Sequence, residues 1–350
     1  MSGSRINFAT LMVVKGLRTI LVFLGASILT VSPLTAGKPQ SVKIKLATLA
    51  PNGSPWHLIL QEMGQKWWEE SDGEVKLTVY PNGVAGDESA VVRKMRIRQL
   101  NAATISTAGL SLIEPGFSAL THVPLLYNSY EEMDYVREQL ADELSRQLEE
   151  KGFILLHWGE AGWVRFFSQE AISVPDDLKS QKLFVWGDEA TDVTLWKSMG
   201  FQPVPLAATD IMIALQTGMI NAFDTTPLLA LRNQWFASTK YMASIRWAPL
   251  QGATIISKNV WEQISEPMRE SILSGARETA VELRSHIREV DQKAIEVMQD
   301  YGLVINEVSE DDYVVWEKTV KEIYPYIRSK IVPENMFDKV IKLRDEYRNR

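Results

Sequence analysis

The chain has 350 residues, with 37 lysines and arginines against 44 aspartates and glutamates, 45% hydrophobic residues and no cysteine. This length suggests two domains, and the apolar fraction excludes a largely disordered chain. A formal charge of −7 leaves no basic footprint for nucleic acid, and the lack of cysteine excludes thiol catalysis, cysteine-ligated zinc and iron–sulfur clusters.

The first forty residues show the three parts of a secretory signal peptide. Arg5, Lys15 and Arg18 accompany an apolar run from about Ile20 to Val31, and small residues follow near Ala36. The run is short for a membrane span. We therefore expect residues 1–36 to be a cleaved signal peptide and the protein to be periplasmic, with an uncleaved membrane anchor as the alternative.

Short β-rich runs then alternate with helical patterns. The runs at 41–49, 74–80 and 102–107 predict strands, and Ser54–Glu70 and Gly86–Leu100 between them predict helices. Such alternation favours α/β layers with a mainly parallel sheet.

A second α/β series follows the first. Its predicted strands are 153–158, 163–168, 182–187, 202–205, 221–226 and 241–248, with helices near Asp188–Met199 and Thr209–Thr217. Two series of this kind predict two α/β lobes.

The third part of the chain is helical. From Pro267 to Asp300 apolar residues recur at steps of three and four, which predicts one helix roughly 50 Å long. Because that length exceeds the diameter of a small domain, the helix should brace both lobes. Further helices are predicted near Asp311–Tyr324 and Pro333–Arg348.

The usual catalytic motifs are missing from the sequence. No G-x-S-x-G, H-E-x-x-H, phosphate-binding glycine loop or dinucleotide fingerprint in the required context occurs. Asp210 and Asp224 are the only residues that we would nominate for proton transfer, and helix capping or a structural role accounts for both. We expect no enzymatic activity, no cofactor and no metal, and an exported enzyme stays an open alternative.

Several tryptophans lie at the ends of predicted strands or in the loops just beyond them. They are Trp56, Trp158, Trp163, Trp186 and Trp247. In open α/β sheets these ends line the ligand crevice, so several rings converging there would form an aromatic box. Ordinary packing is the alternative role for each.

Five segments carry a resemblance to a known family. They are IKLATLAPNGSPWH, EVKLTVYPNGVAGDES, VPLLYNSYEEM, VPDDLKSQKL and, above all, GFQPVPLAATDIMIALQTGMINAFDTTP. From about Lys43 to Met298 the chain resembles the solute-binding (DctP-type) subunit of tripartite ATP-independent periplasmic (TRAP) transporters. The resemblance implies an α/β, two-lobed periplasmic solute-binding fold with a long helix bracing both lobes, which closes around a small molecule.

The resemblance also implies partners and lobe limits. The expected partners are a small-molecule ligand and the small and large permease subunits in the membrane, with no nucleic acid, and the protein itself would be a monomer or weak homodimer. Lobe I would comprise 37–161 plus about 250–285, and lobe II 162–249 plus about 286–350. A ligand-binding subunit of a signalling receptor would have the same sequence features.

Two positions depart from the family pattern. Members that bind organic acids have an arginine in the strand after the D-L-K-G segment, and here that position is Phe184. A second family arginine falls on Val164, with Arg165 one residue further along. Because an aromatic ring cannot neutralise a buried carboxylate, we expect a neutral or largely apolar ligand. The alternative is that Phe184 faces the core and that Arg165 or Arg246 binds an organic acid.

The expected ligand contacts are aromatic and polar side chains from both lobes. They are Trp56, Asp87, Ser106, Thr107, Trp163, Arg165, Phe184, Trp186, Thr209, Thr225 and Trp247.

Overall fold

The computed structural model describes residues 41–186 and 190–350. The predicted signal peptide, and the start of the helix predicted from Asp188, lie outside these residues. Within the described part of the chain, no helix combines the length and apolar character needed to cross a lipid bilayer.

The strands of the described residues are β1 (Val42–Thr48), β2 (Val75–Tyr80), β3 (Ala102–Ser106), β4 (Phe153–Trp163), β5 (Arg165–Ser168), β6 (Lys182–Trp186), β7 (Gln202–Leu206), β8 (Ala222–Thr225), β9 (Tyr241–Ala243), β10 (Pro249–Ser257) and β11 (Val304–Asn306). The α-helices are α1 (Pro55–Glu70), α2 (Glu88–Arg96), α3 (Thr107–Ser111), α4 (Tyr130–Glu150), α5 (Pro175–Lys179), α6 (Ala190–Ser198), α7 (Ile211–Gln216), α8 (Pro227–Arg232), α9 (Lys258–Trp261), α10 (Glu266–Asp300), α11 (Glu310–Tyr326) and α12 (Glu334–Arg348). Short 3₁₀ turns span Pro115–Leu120, Ala208–Asp210 and Trp235–Ser238, and a π-helical turn spans Ile327–Ile331.

The strands form two sheets, and β4, which the sequence placed in the second series, joins the first sheet together with β10. The first has the order β2-β1-β3-β10-β4 and the second the order β11-β9-β5-β8-β6-β7. β1 runs parallel to β2 and β3, and β6 runs parallel to β7 and β8, as expected for strands joined by helices. β10 and β5 run antiparallel to their neighbours.

The chain crosses between the two sheets three times, once through α10 between β10 and β11 and twice at two adjacent segments. One of the adjacent segments is Val164, between β4 and β5, and the other is 244–248, between β9 and β10. The segments hydrogen-bond to each other, since the Val164 amide donates to the Ala248 carbonyl at 2.8 Å and the Trp247 amide to the Val164 carbonyl at 3.0 Å. These paired crossings form the hinge between the sheets.

The long predicted helix is confirmed as α10. It contacts α1 and β4 on the side of the first sheet and α8 on the side of the second. The Arg288 guanidinium binds Glu160 at 2.6 Å and Asp134 at 2.8 Å, which anchors the middle of the helix to β4 and α4. α10 therefore braces both lobes.

One large helix was not predicted. α4 carries Met133, Val136, Leu140, Leu144 and Leu148 on its buried face, at steps of three and four. Ser129 begins the helix, because its side chain accepts a hydrogen bond from the Glu132 amide. The sequence thus contained both the apolar period and the cap that identify this helix.

The last two helices pack on different sheets. Trp316 of α11 is fully buried, stacks on Phe166 of β5 at 5.6 Å and donates to the Ser173 carbonyl at 2.8 Å. α12 packs instead against α4, and Arg348 donates to the Leu126 carbonyl at 3.1 Å. The sequence assigned about 286–350 to lobe II and the C-terminal helices, and α12 of this range lies against the helices of lobe I. The remaining lobe limits stay a prediction.

Candidate functional site

The two sheets meet at the carboxyl ends of their parallel strands. Gly83 follows β2, and Thr209 lies in the 3₁₀ turn after β7. A Cβ atom on Gly83 would stand 2.9 Å from Cγ2 of Thr209, so these two loops are in contact. Ligands of open α/β sheets bind at such ends. We therefore place the candidate site in the cleft that these loops close and the hinge bounds.

Three side chains form a row along the cleft edge of the second sheet. Arg165 of β5 pairs with Thr225 of β8, and the parallel register of Leu183 with Ala222 brings Trp186 of β6 level with Thr225. Residues that pair across strands project to the same face. Trp186, Thr225 and Arg165 are hereafter the edge row.

Two members of the edge row have unsatisfied hydrogen-bonding atoms. Arg165 donates through Nη1 to the Ser244 carbonyl, but its Nε is buried without a partner. The Thr225 hydroxyl is also buried without a partner. Among the described residues no ion pair reaches Arg165. Because a buried donor without an acceptor is costly, this arrangement calls for an acceptor from a ligand.

Arg165 has a second cation, Arg246, near it, as well as the acids Asp291 and Glu307. Burial, together with the neighbouring Arg246, lowers the pKa of Arg165 from the usual value of arginine. The Arg246 guanidinium is exposed and lies over the Trp163 ring, 5.7 Å from its centre. Two cations in one region repel each other, so an anion between or beside them would be stabilised.

An aspartate from the bracing helix lies behind the edge row. Asp291 is 6% exposed and accepts a hydrogen bond from the Leu228 amide at 2.9 Å. Its carboxylate lies against Gly162, where a Cβ atom would be 2.6 Å from Oδ2, so only glycine fits there. Burial raises the pKa of Asp291 to about 7, against an opposing effect from Arg165. No motif in the sequence marks Asp291, although it interrupts the apolar stripe of α10 four residues after Ile287.

Phe184 lies below the edge row and not in it. It is fully buried and packs with Phe167 and Phe223 in the core of the second lobe. The half-buried Trp186 covers it, with the two rings perpendicular and 5.2 Å apart. Burial raises the pKa of Asp224 to about 7, and a hydrogen bond from Trp186 opposes this rise. The aromatic surface at the cleft edge is therefore that of Trp186.

The other predicted tryptophans do not join Trp186 in one aromatic box. Trp163 packs on Tyr130 at 5.5 Å, with its Nε1 buried and without a partner. Trp247 packs on Phe166 at 5.2 Å, in the core on the opposite face of the second sheet from Phe184. Trp56 lies in a separate apolar cluster with Leu283 and Ile287 of α10. The expected box is thus replaced by separate clusters, because strand alternation sends these rings to different faces.

Trp56 and three residues predicted on the first lobe have structural partners. The Trp56 indole donates to the Glu160 carbonyl at 2.9 Å. Asp87 begins α2, where it accepts from the Ala90 amide at 2.8 Å. Ser106 and Thr107 lie at the end of β3 and the start of α3.

Ser106 binds an acid that the sequence analysis did not select. Both its amide, at 2.6 Å, and its hydroxyl, at 2.5 Å, donate to the Glu88 carboxylate. Burial raises the pKa of Glu88, and these hydrogen bonds oppose the rise. Thr107 is fully buried and hydrogen-bonds with Thr121. Thr209 of the second lobe contacts the first lobe at Gly83, in the loop before α2.

Comparison with known proteins identifies the family. The family model for bacterial extracellular solute-binding proteins, family 7 (DctP), matches residues 46–330. A solute-binding protein of Chromohalobacter salexigens is 25% identical over 276 residues, covering 78% of this chain and 80% of its own length. The 2,3-diketo-L-gulonate-binding periplasmic protein of Escherichia coli is 22% identical over 251 residues, covering 71% and 76%.

Solved structures show the same fold. The sugar acid binding protein of Advenella mimigardefordensis, in complex with galactonate, superposes with a TM-score of 0.81 at 19% identity and covers 88% of this chain and 99% of its own. A TRAP periplasmic solute-binding protein of Chromohalobacter salexigens, with bound D-glucuronate, gives 0.78 at 23% identity, covering 86% and 99%. The two-lobed periplasmic binding fold with a bracing helix is therefore confirmed.

Proposed function

The chain belongs to the DctP family, family 7 of the bacterial extracellular solute-binding proteins, and from this premise we propose that it captures a small organic acid through Arg165. It is a TRAP periplasmic solute-binding protein, a transport component that works with membrane permease subunits. The proposal concerns the ligand class and the residue that selects it.

The observation that carries the proposal is the state of Arg165. The half-buried Arg165 has a buried Nε without a partner, and with the unpaired Thr225 hydroxyl beside it this group offers donors to a carboxylate. Charge-assisted hydrogen bonds of this kind contribute roughly 1.5–3 kcal/mol each. A ligand without a suitable acceptor would leave the buried Nε of Arg165 unpaired, which is unfavourable.

The neutral ligand expected from Phe184 has less support. That expectation assumed that Phe184 lines the cleft in place of an arginine, but its ring is buried beneath Trp186. The pairing of Arg165 with Thr225 supports a position for this different cation on the cleft face. This arrangement supports the alternative that the sequence left open, an organic acid bound by Arg165.

The names of related proteins favour sugar acids within this class. Related proteins bind galactonate, D-glucuronate and 2,3-diketo-L-gulonate. In this chain Trp186 adjoins Thr225 in the edge row, so its ring can cover the carbon face of a hydroxy acid whose carboxylate reaches Arg165. We therefore propose a sugar acid or another small hydroxy acid as the ligand.

Capture would proceed by closure of the cleft. The paired crossings at Val164 and 244–248 allow one lobe to rotate against the other, and the contact between Gly83 and Thr209 lies at the mouth that closes. Because a ligand that binds both walls favours the closed state, binding shifts the population toward closure. The closed protein would then deliver its ligand to the small and large permease subunits.

Titration calorimetry on the mature protein tests the ligand class. The probes are D-glucuronate, D-galactonate and succinate, with D-glucose as the neutral counterpart. We expect an acid to bind and Arg165→Gln to weaken it by roughly 10- to 100-fold, the equivalent of one charge-assisted hydrogen bond. Arg277→Gln, on an exposed part of α10, is the matched control and should bind like wild type. Binding of D-glucose with no binding of the acids, or an unchanged affinity in Arg165→Gln, would overturn the proposal.

A further inference from the structure

The bracing helix changes partners within a single turn beside the edge row. Arg288 binds Glu160 and Asp134 on the side of the first lobe. Three residues later, Asp291 accepts the Leu228 amide at the start of α8, in the second lobe. Asp291 thus lies at the boundary between the lobes, against Gly162 of β4, two residues before the crossing at Val164.

The groups that face Asp291 come from several elements. Arg165 of β5 favours its ionised form, whereas Glu160 of β4 opposes it. Tyr130 of α4 also lies within electrostatic reach, and burial keeps that phenol protonated by raising its pKa. Glu160 is paired with Arg288, and Arg165 is the cation that favours ionised Asp291, in addition to the hydrogen bond from the Leu228 amide.

We propose that Asp291 takes up a proton when the carboxylate of the ligand binds Arg165, and that this coupling sets the affinity of the site for acids. The inference rests on the proposed function, because it requires an anionic ligand. A carboxylate on Arg165 cancels the attraction that favours ionised Asp291 and adds a negative charge close by. The proton comes from solvent and returns to it when the ligand leaves. Protonated Asp291 keeps a carbonyl oxygen that accepts from the Leu228 amide.

The burial of Asp291 places this exchange in an accessible pH range. The pKa of Asp291 is about 7 without ligand, and a bound anion raises it further. Binding therefore takes up protons from about pH 7 upward, and affinity falls as the pH rises through this window. For one proton, the dissociation constant rises by at most about tenfold between pH 6 and pH 8.

Calorimetry in two buffers with different ionisation enthalpies counts the protons taken up. With D-glucuronate and D-galactonate as probes, wild type should take up a fraction of a proton that approaches one at pH 8, and its dissociation constant should rise by up to about tenfold from pH 6 to pH 8. Asp291→Asn carries no titrating group there, so it should take up none and bind equally at both values. Asp224→Asn is the matched comparison, since Asp224 also has a pKa of about 7, and it should keep the pH dependence whatever its affinity.

The outcomes separate the two proposals. Acid binding that depends on Arg165 but takes up no proton in wild type would overturn only the role of Asp291. The role of Asp291 would also be overturned if Asp291→Asn kept the wild-type pH dependence of binding or if Asp224→Asn abolished it. If neither acid binds wild type at pH 6, the ligand class is wrong and the coupling is wrong with it. The proton count on wild type needs no variant to fold.

Discussion

Replacing Asp291 by asparagine should stabilise the ligand-free protein increasingly as the pH rises. Asp291 is 6% exposed, and burial raises its pKa from 3.8 to about 7. Between these two values the folded protein binds more protons than the unfolded chain, so wild type loses stability as the pH rises through that range. For these pKa values the loss between pH 5 and pH 8 is about 2–3 kcal/mol.

Urea unfolding followed by tryptophan fluorescence measures this loss. The difference in free energy of unfolding, Asp291→Asn minus wild type, should grow by about 2–3 kcal/mol from pH 5 to pH 8. Asparagine keeps an oxygen that can accept from the Leu228 amide, so the charge is the main change. Glu296→Gln removes an exposed carboxylate from the same helix and should show no such growth. A difference for Asp291→Asn that is constant across the pH range would refute the reasoning.

Three further changes test the packing that positions the site, each by the same unfolding measurement. Gly252→Ala should destabilise by roughly 1–3 kcal/mol, because its Cβ would lie 2.4 Å from the Ile105 carbonyl oxygen. Gly159→Ala, at the paired position on β4, meets nothing closer than 4.0 Å and should cost less than half as much; equal costs would contradict this account. Phe184→Ala should cost roughly 3–5 kcal/mol as a fully buried ring, and a cost below about 1 kcal/mol would mean that it faces solvent or ligand. Arg348→Ala should destabilise by about 2 kcal/mol, because it leaves the carboxylate of Glu132 on α4, which is 3% exposed, without the partner that Arg348, itself 37% exposed, provides. An unchanged unfolding midpoint would show that α12 contributes nothing to the stability of lobe I.

Much of the architecture could be predicted from local patterns in the sequence. Alternating strand and helix periods indicated the α/β class, and two such series indicated two lobes. The apolar stripe of α10 specified a helix too long for one lobe. These features are local, since a period of two or of three to four residues is set within a single element. α4 was missed although its period and its cap are equally local.

The composition of the site depended on contacts between distant parts of the chain. The sequence marked Arg165 as a candidate but could not say which face it occupies, because a slip of one residue reverses every side chain of a strand. Its pairing with Thr225, sixty positions away, decides the face. The sequence predicted Phe184 as a cleft residue, but in the structure the ring of Trp186 packs over it.

Sequence alone therefore determined the kind of protein, and tertiary structure decided which charged groups lie near one another at the candidate site. The family segments and the apolar periods of helices and strands are encoded in short stretches, so they can be recognised without knowledge of the fold. Asp291 of α10 lies within electrostatic reach of Arg165 of β5, which is more than a hundred residues earlier in the chain. The register of the strands and the position of α10 bring these two groups together, and no local sequence pattern predicts that proximity.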